Sequence, residues 1–244
     1  MAVIEQAAVF PETRWSLILR VRGPDGGADS ETALNELCRT YWQPLYAYLR
    51  RGGNDAEAAK DLVQGFLAHL LGKDGFVRER STQGRFRYFL LAALRNYLVS
   101  EARKENAARR GGGVDVVPLD LEQAEALFQI QAAEPFTPEA DFDRHWAQTV
   151  WTRALQRLRE EQRSRGKEAL FDALKPGLVD DLRPRHTEVA ASLGLSPTAV
   201  ALALHRLRRR LKELVIDELA QTVGSHADLD DEITYFLSLW TKSF

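Results

Sequence analysis

The chain has 244 residues, enough for one large domain or two small ones, with 28% charged residues and a formal net charge of only −2. A single cysteine excludes an intramolecular disulfide, and five histidines scattered at 69, 145, 186, 205 and 226 have no ligand-spaced partner, which argues against a metal site. No purely apolar run is longer than that at 89–94, far too short for a bilayer, and the N-terminus lacks the charged-then-apolar layout of a signal peptide, so a soluble cytoplasmic protein is expected.

Almost every periodic segment has helical spacing and none alternates as a strand, so the expected fold class is all-α. Thr13 can cap a short first helix through Val21, with Trp15, Ile18 and Leu19 on its buried stripe. The Gly-Pro-Asp-Gly-Gly run at 23–27 is a loop. Ser30 opens a helix whose apolar positions include Leu34, Leu37, Cys38, Tyr41, Trp42 and Leu45, with a kink or break expected at Pro44. Cys38 falls on the apolar face, as a small buried thiol would. After Gly52-Gly53-Asn54, residues 55–71 form the clearest amphipathic helix. There Ala59, Leu62, Val63, Phe66, Leu67, Leu70 and Leu71 pack, and Glu57, Lys60, Asp61, Gln64 and His69 lie on the other face.

A loop to Gly84 precedes a helix from about Arg85 to Arg103, in which Phe86, Phe89, Leu90, Ala93, Leu94 and Tyr97 pack while Arg87, Arg95, Asn96, Ser100, Arg103 and Lys104 gather opposite. Arg109-Arg110-Gly111-Gly112-Gly113 is the best domain boundary. The segment beyond it is proline-bearing and acidic, with one weak helical patch near 121–130, and reads as a linker. Helical pattern resumes near Pro138 with Phe142, Trp146, Val150, Leu155 and Leu158, and a second helix spans about 167–174.

The stretch 187–212, TEVAASLGLSPTAVALALHRLRRRLK, reads as a short helix, a tight turn and a second helix ending in a basic run. Val189, Ala190 and Leu193 give the first helix an apolar face. Gly194 supplies the left-handed cap, Leu195 is expected to return to the core, and Ser196 and Pro197 start the next helix. Val200, Leu204, Leu207 and Leu211 form its packed stripe. One helix packed and one presented, with cations near its end, is what reading a DNA major groove requires. A last helix, about 228–240, carries Leu229, Ile233, Phe236, Leu237 and Trp240 behind an acidic first turn.

Charge is segregated. From Arg78 to Arg110 nine basic residues face three acidic ones, a local +6. From Val114 to Asp143 there are eight acids and no Lys or Arg, and acids dominate again beyond Glu213. Phosphate binding depends on local potential, so this layout matters more than the total.

Two helical domains, a linker and a C-terminal helix-turn-helix resemble a bacterial RNA polymerase sigma factor of the extracytoplasmic-function type. The resemblance covers roughly residues 30–216 and is carried by YWQPLYAYLRR (41–51), DAEAAKDLVQGFLAHLL (55–71), FRYFLLAALRNYLVSEARK (86–104) and the 187–212 segment. FPETRWSLI (10–18) and the acidic C-terminal helix resemble a subgroup with an extra helix at each end. The layout expected is an N-terminal extension (1–29), a polymerase- and −10-binding domain (30–110), an acidic linker (111–140), a −35-binding helix-turn-helix domain (141–216) and an acidic C-terminal extension (217–244).

By that resemblance Asp61, Leu62 and Gln64 dock on core RNA polymerase. Arg87, Tyr88, Phe89, Arg95, Asn96, Ser100, Arg103 and Lys104 bind the −10 element, with cations on phosphates and aromatics as stacking platforms. Burial in the helical core is the competing role for Phe89, which stands where the family usually has Trp. Ser196, Thr198, Ala199, Leu202, His205, Arg206, Arg208 and Arg209 contact the −35 element. The chain departs from the family at Gly65, usually Glu, and at Ala201 and Ala203, usually basic. Fewer bidentate donors, each worth about 1–3 kcal/mol of discrimination, imply weak −35 specificity.

The function expected is promoter recognition and transcription initiation by a sigma subunit, with core RNA polymerase and promoter DNA as partners and an anti-sigma factor or other regulator as a further one. The competing account is a free-standing helix-turn-helix regulator that never meets polymerase. No nucleophile–base arrangement, phosphate-binding glycine loop or carboxylate cluster suits catalysis, so neither enzymatic activity nor a cofactor is expected. The acidic linker and C-terminal helix complement the cationic DNA-binding faces. One of them covering such a face would substitute for a separate anti-sigma factor; the plainer alternative is a helix that finishes the second domain's core.

Overall fold

Helix starts in this chain are set by side chains that accept the first orphan N–H groups. Asp55 accepts from Ala58 N at 2.8 Å, Asp120 from Gln123 N at 3.2 Å, Thr137 from Ala140 N at 3.2 Å and Ser225 from Asp228 N at 3.1 Å. The computed structural model describes residues 13–15, 28–72, 85–105, 120–131, 136–179 and 186–241. Among these residues every regular element is α-helical, which makes the protein all-α. The helices are α1 (Ala28–Arg51), α2 (Ala56–Leu71), α3 (Phe86–Glu105), α4 (Leu121–Gln131) and α5 (Pro138–Ser164). They continue with α6 (Glu168–Leu174), α7 (Pro176–Val179), α8 (His186–Leu193), α9 (Pro197–Ala220) and α10 (His226–Thr241). No single described helix is long and apolar enough to cross a membrane.

The chain divides into two compact units, Met1–Thr149 with Ala220–Phe244, and Val150–Leu219. The first unit is built on α1, α2 and α3, whose buried stripes include Leu37, Cys38, Tyr41, Leu45, Val63, Phe66, Leu67, Leu90 and Leu94. Burial pushes the Cys38 thiol up to about 12, so it stays protonated and inert. The kink expected from Pro44 is present in α1. The distortion falls one turn earlier, at Tyr41 (φ −108°, ψ 20°), because the proline ring removes the N–H that would bond the preceding turn and crowds its carbonyl.

Residues 13–15 and 221–223 close this core. Trp15 is fully buried against Phe86 and Phe89, with ring centroids 5.3 and 5.2 Å away. The Trp15 backbone N–H donates to the Gln221 carbonyl at 3.1 Å, the Thr13 hydroxyl donates to the Val223 carbonyl at 2.8 Å, and the Phe86 backbone N–H donates to the Thr222 carbonyl at 2.9 Å. The expected first helix continues to Val21, but only residues 13–15 of it lie among the described ones.

Helix α4, expected as a weak patch in a linker, packs on α1. Ala124 and Phe128 are buried, and Glu125 takes bonds from Arg50 Nη2 (2.7 Å), Arg50 Nε (2.9 Å) and the Tyr46 hydroxyl. The Arg50 guanidinium lies 4.8 Å over the Phe128 ring. Chiefly through Arg50, this cluster holds the Glu125 carboxyl down at about 2. The boundary residues 109–113 lie outside the described residues.

The second unit takes the later part of α5, with Val150, Ala154 and Leu158 buried, together with α6, α7, α8 and nearly all of α9. Val200, Leu204, Leu207, Leu211 and Leu214 form the buried stripe of α9 as their spacing predicts. Leu195 does not return to the core; it is 40% exposed at the turn.

Candidate nucleic-acid interface

The α8–α9 pair is set by a three-residue turn. Gly194 has φ +65°, a left-handed conformation that L side chains resist, and Leu195 N reaches back to the Ala190 carbonyl at 2.9 Å to satisfy the end of α8. Ser196 then accepts from Ala199 N at 3.2 Å, and Pro197 occupies the first helical position. The two axes meet with a bend of 101°.

With its apolar stripe buried, α9 leaves Thr198, Ala199, Leu202, His205, Arg206, Arg208 and Arg209 on its solvent side, and Ser196 stands exposed at its head. Leu202 is an exposed apolar residue on this face, 48% accessible. The cations differ in what they do. The Arg209 side chain is 79% exposed and pairs with Glu213 one turn along the helix, at 3.4 Å. Arg208 donates twice to the Gly177 carbonyl, at 2.9 and 3.3 Å, so it secures α7 as well as adding charge. Arg210 is tied to Glu161 at 2.7 and 3.0 Å and to Glu213 at 2.9 Å, which holds both carboxyls below the usual range.

The basic face expected on α3 is split by the structure. Arg87, expected to grip phosphate, is 2% exposed. Its Nε donates to Glu232 at 2.7 Å and its Nη1 to Asp143 at 2.9 Å. Its guanidinium lies 4.0 Å from the Tyr88 ring centroid, 4.1 Å from that of Tyr235 and 5.2 Å from that of Trp146. Burial alone would lower the Arg87 pKa, but Glu232 and Asp143 outweigh it and keep the group charged. Glu232 is fully buried and its carboxyl is pushed up by desolvation, with Arg87 and Arg85 pulling it back. Arg85 reaches Asp231 at 2.6 Å, Glu232 at 3.2 Å and Asp228 at 3.9 Å. Phe89 is 1% exposed in the core beside Trp15 and Phe86, so the burial role holds and it offers no face to a base.

The rest of α3 does face solvent. Tyr88 is half exposed, and Arg95, Asn96, Ser100 and Arg103 are exposed. Arg95 is shared with Glu139 at 2.5 Å and with the Tyr48 hydroxyl at 3.2 Å. Lys104 is helical, but its side chain lies outside the described residues.

On α2, Asp61 is exposed while Leu62 and Gln64 are half-buried, with Val63 beneath them in the core. The absence of a side chain at Gly65 has a local reason. A Cβ there would collide with the Tyr97 hydroxyl of α3, so the phenol occupies the space a side chain would need. Tyr97 also packs against Phe66 and His69, and burial with Glu101 nearby raises its pKa to about 12.

Sequence reasoning missed the acids that neutralise Arg85 and Arg87. Asp143, Asp228, Asp231 and Glu232 stand 56 or more residues away, and Tyr235 joins them by donating to Asp143 at 2.6 Å. The only available signal was the complementarity of basic and acidic blocks. The C-terminal stripe is also narrower than expected: Phe236 is buried, Leu237 is 56% exposed, and the Trp240 side chain lies outside the described residues. No cluster of metal-ligating side chains exists among the described residues. No family model, curated protein or solved structure matches this chain.

Proposed function

We propose that the protein is a cytoplasmic sigma subunit that directs core RNA polymerase to promoters, without catalysis of its own. Its second domain is a helix-turn-helix that binds the −35 element through α9. Its first holds polymerase through Asp61, Leu62 and Gln64 of α2, and holds the opened −10 strand through Tyr88, Arg95, Asn96, Ser100 and Arg103 of α3. The observation that carries this reading is α9 itself: one stripe buried and the other presenting polar and cationic side chains from a sharply bent helix pair. Phosphate contacts would supply affinity and the first turns of α9 the base contacts. The test is comigration with core RNA polymerase in gel filtration, for wild type and Asp61→Arg. Comigration lost in the folded variant supports polymerase docking by α2. DNA binding without comigration favours the free-standing regulator instead.

A regulatory reading of the C-terminal helix belongs with this function. Asp228, Asp231 and Glu232 occupy the two arginines that head α3, so α10 stands where phosphates of a DNA strand would be drawn. This covers the first domain, not the second, and it substitutes for an anti-sigma factor only if Arg85 can be released. Asp228→Asn with Asp231→Asn loosens Arg85 while sparing buried Glu232. Tighter binding of single-stranded −10-like DNA is the expected result, and unchanged binding removes the idea.

A further inference from the structure

In the second unit most of the described arginines form an ion pair close to home. Arg153 and Arg157 share Glu218, Arg159 meets Glu168 and Asp172, Arg163 meets Glu160, and Arg210 meets Glu161. Arg165, Lys167 and Arg206 are different. None of the three forms an ion pair with a described carboxylate, and all three line one cleft of about 270 Å³. Its floor is apolar, made by Leu170, Phe171 and Leu207. Arg165 acts on Glu161 only through space, because Arg210 claims both oxygens of that carboxylate.

The backbone fixes two of these cations. Gly166 ends α5 with φ +67°, and Lys167 N closes back on the Gln162 carbonyl at 2.9 Å. Arg165 and Lys167 therefore flank a rigid left-handed turn, and both are exposed. Three unpaired cations around one small cleft repel one another, an arrangement that a polyanion relieves.

The position of the cleft on α9 indicates which polyanion. It is lined by Ala203, Arg206 and Arg210, one residue beyond Leu202, His205 and Arg209 on the presented face. One residue is a rotation of about 100° around a helix. A helix that fills a major groove about 12 Å wide has a sugar–phosphate strand along each flank. The cleft is thus on a flank of α9, with Arg206 shared between flank and face.

We propose that this cleft binds backbone phosphates of the DNA strand bordering the groove that α9 occupies, with Arg165 and Lys167 as phosphate contacts outside the helix pair. The inference rests on the reading of α9 as a DNA-binding helix. These two contacts position the protein on the duplex and carry no sequence information.

The test is the salt dependence of duplex binding by the full-length protein, comparing wild type, Arg165→Gln with Lys167→Gln, and Lys175→Gln. Lys175 is exposed and without an ion pair among the described residues, and it lies outside the cleft, so it controls for net charge. Each phosphate contact contributes about 0.9 to the slope of log affinity against log salt, so the double variant should lose about 1.8. Lys175→Gln should lose little, and melting temperatures should agree, because all three side chains are exposed. Wild-type binding with an unchanged slope in the double variant overturns the cleft assignment alone. Failure of the wild type to bind any duplex overturns the DNA reading of α9 and this proposal with it. Calorimetric titration with inorganic triphosphate separates the other source of phosphate. Binding that the double variant loses, while its DNA slope stays intact, would assign the cleft to a free polyphosphate and overturn the DNA contact.

Discussion

Helices α3 and α9 have similar sequences in one respect: each sets arginines against an apolar stripe. Their cations end in opposite places. Arg87 of α3 is enclosed by Glu232, Asp143 and two tyrosine rings, whereas Arg206 and Arg209 of α9 stand in solvent. The difference lies in what the rest of the chain delivers to each helix. Helix α10 brings three acids to the head of α3, while on α9 Glu161 of α5 reaches Arg210 and Glu213 of the same helix pairs with Arg209 and Arg210. A basic helix face is most available for binding where buried intrachain acids do not enclose its cations.

Replacing Phe89 tests the contrast most severely. Phe89→Ala should cost about 3–5 kcal/mol in chemical denaturation, as a core residue does, and no exposed stacking platform would cost that much. Arg87→Met comes next. Removing one partner of a buried pair costs about 3–5 kcal/mol, and the lower end is expected because Arg85 still sits 3.2 Å from Glu232. By contrast Arg209→Ala should change stability by less than about 0.5 kcal/mol and weaken DNA binding instead. Equal stability losses at 87 and 209 would erase the distinction.

The Glu125–Arg50 pair makes a pH-dependent version of the same point. The folded carboxyl sits at about 2, below its ordinary 4.5, so its contribution is fully present above pH 4.5 and is lost as pH falls toward 2. Glu125→Ala should remove about 2 kcal/mol at neutral pH, the scale of a charge-assisted hydrogen bond, and should abolish that part of the acid sensitivity. Hydrogen exchange in α4 would report both.

The smallest expected effect concerns Gly65. Alanine in a helix interior is favoured over glycine by about 1 kcal/mol, but here its Cβ meets the Tyr97 hydroxyl. With Tyr97→Phe in the background, the nearest ring carbon is 3.5 Å away, an ordinary contact. Gly65→Ala should therefore destabilise the wild type and stabilise the Tyr97→Phe protein, a sign change that paired thermal melts would detect.

Local signals located most of the helices. Asp55, Ser196 and Pro197 mark starts, Gly194 marks the turn, and Val200, Leu204, Leu207 and Leu211 mark a buried stripe; each acts within a turn or two of chain, so each can be read in order. Local signals failed at α4, because an acidic, proline-flanked helix looks like a linker until Arg50 and Tyr46 are seen to hold Glu125. They failed at Leu195, where the turn geometry and not hydrophobicity sets exposure. They also divided the basic face of α3 wrongly.

An all-α protein, the α8–α9 turn and the amphipathic faces of α2 and α9 are legible residue by residue, because capping, φ preference and helical period are short-range physics. Long-range packing sets the rest: Trp15 and residues 221–223 close the core around Phe86, Arg87 is neutralised, and Arg165, Lys167 and Arg206 share a cleft. Those outcomes depend on which distant charges and rings meet, and the free energy of such a meeting is set by burial and pairing in three dimensions, which no local pattern encodes.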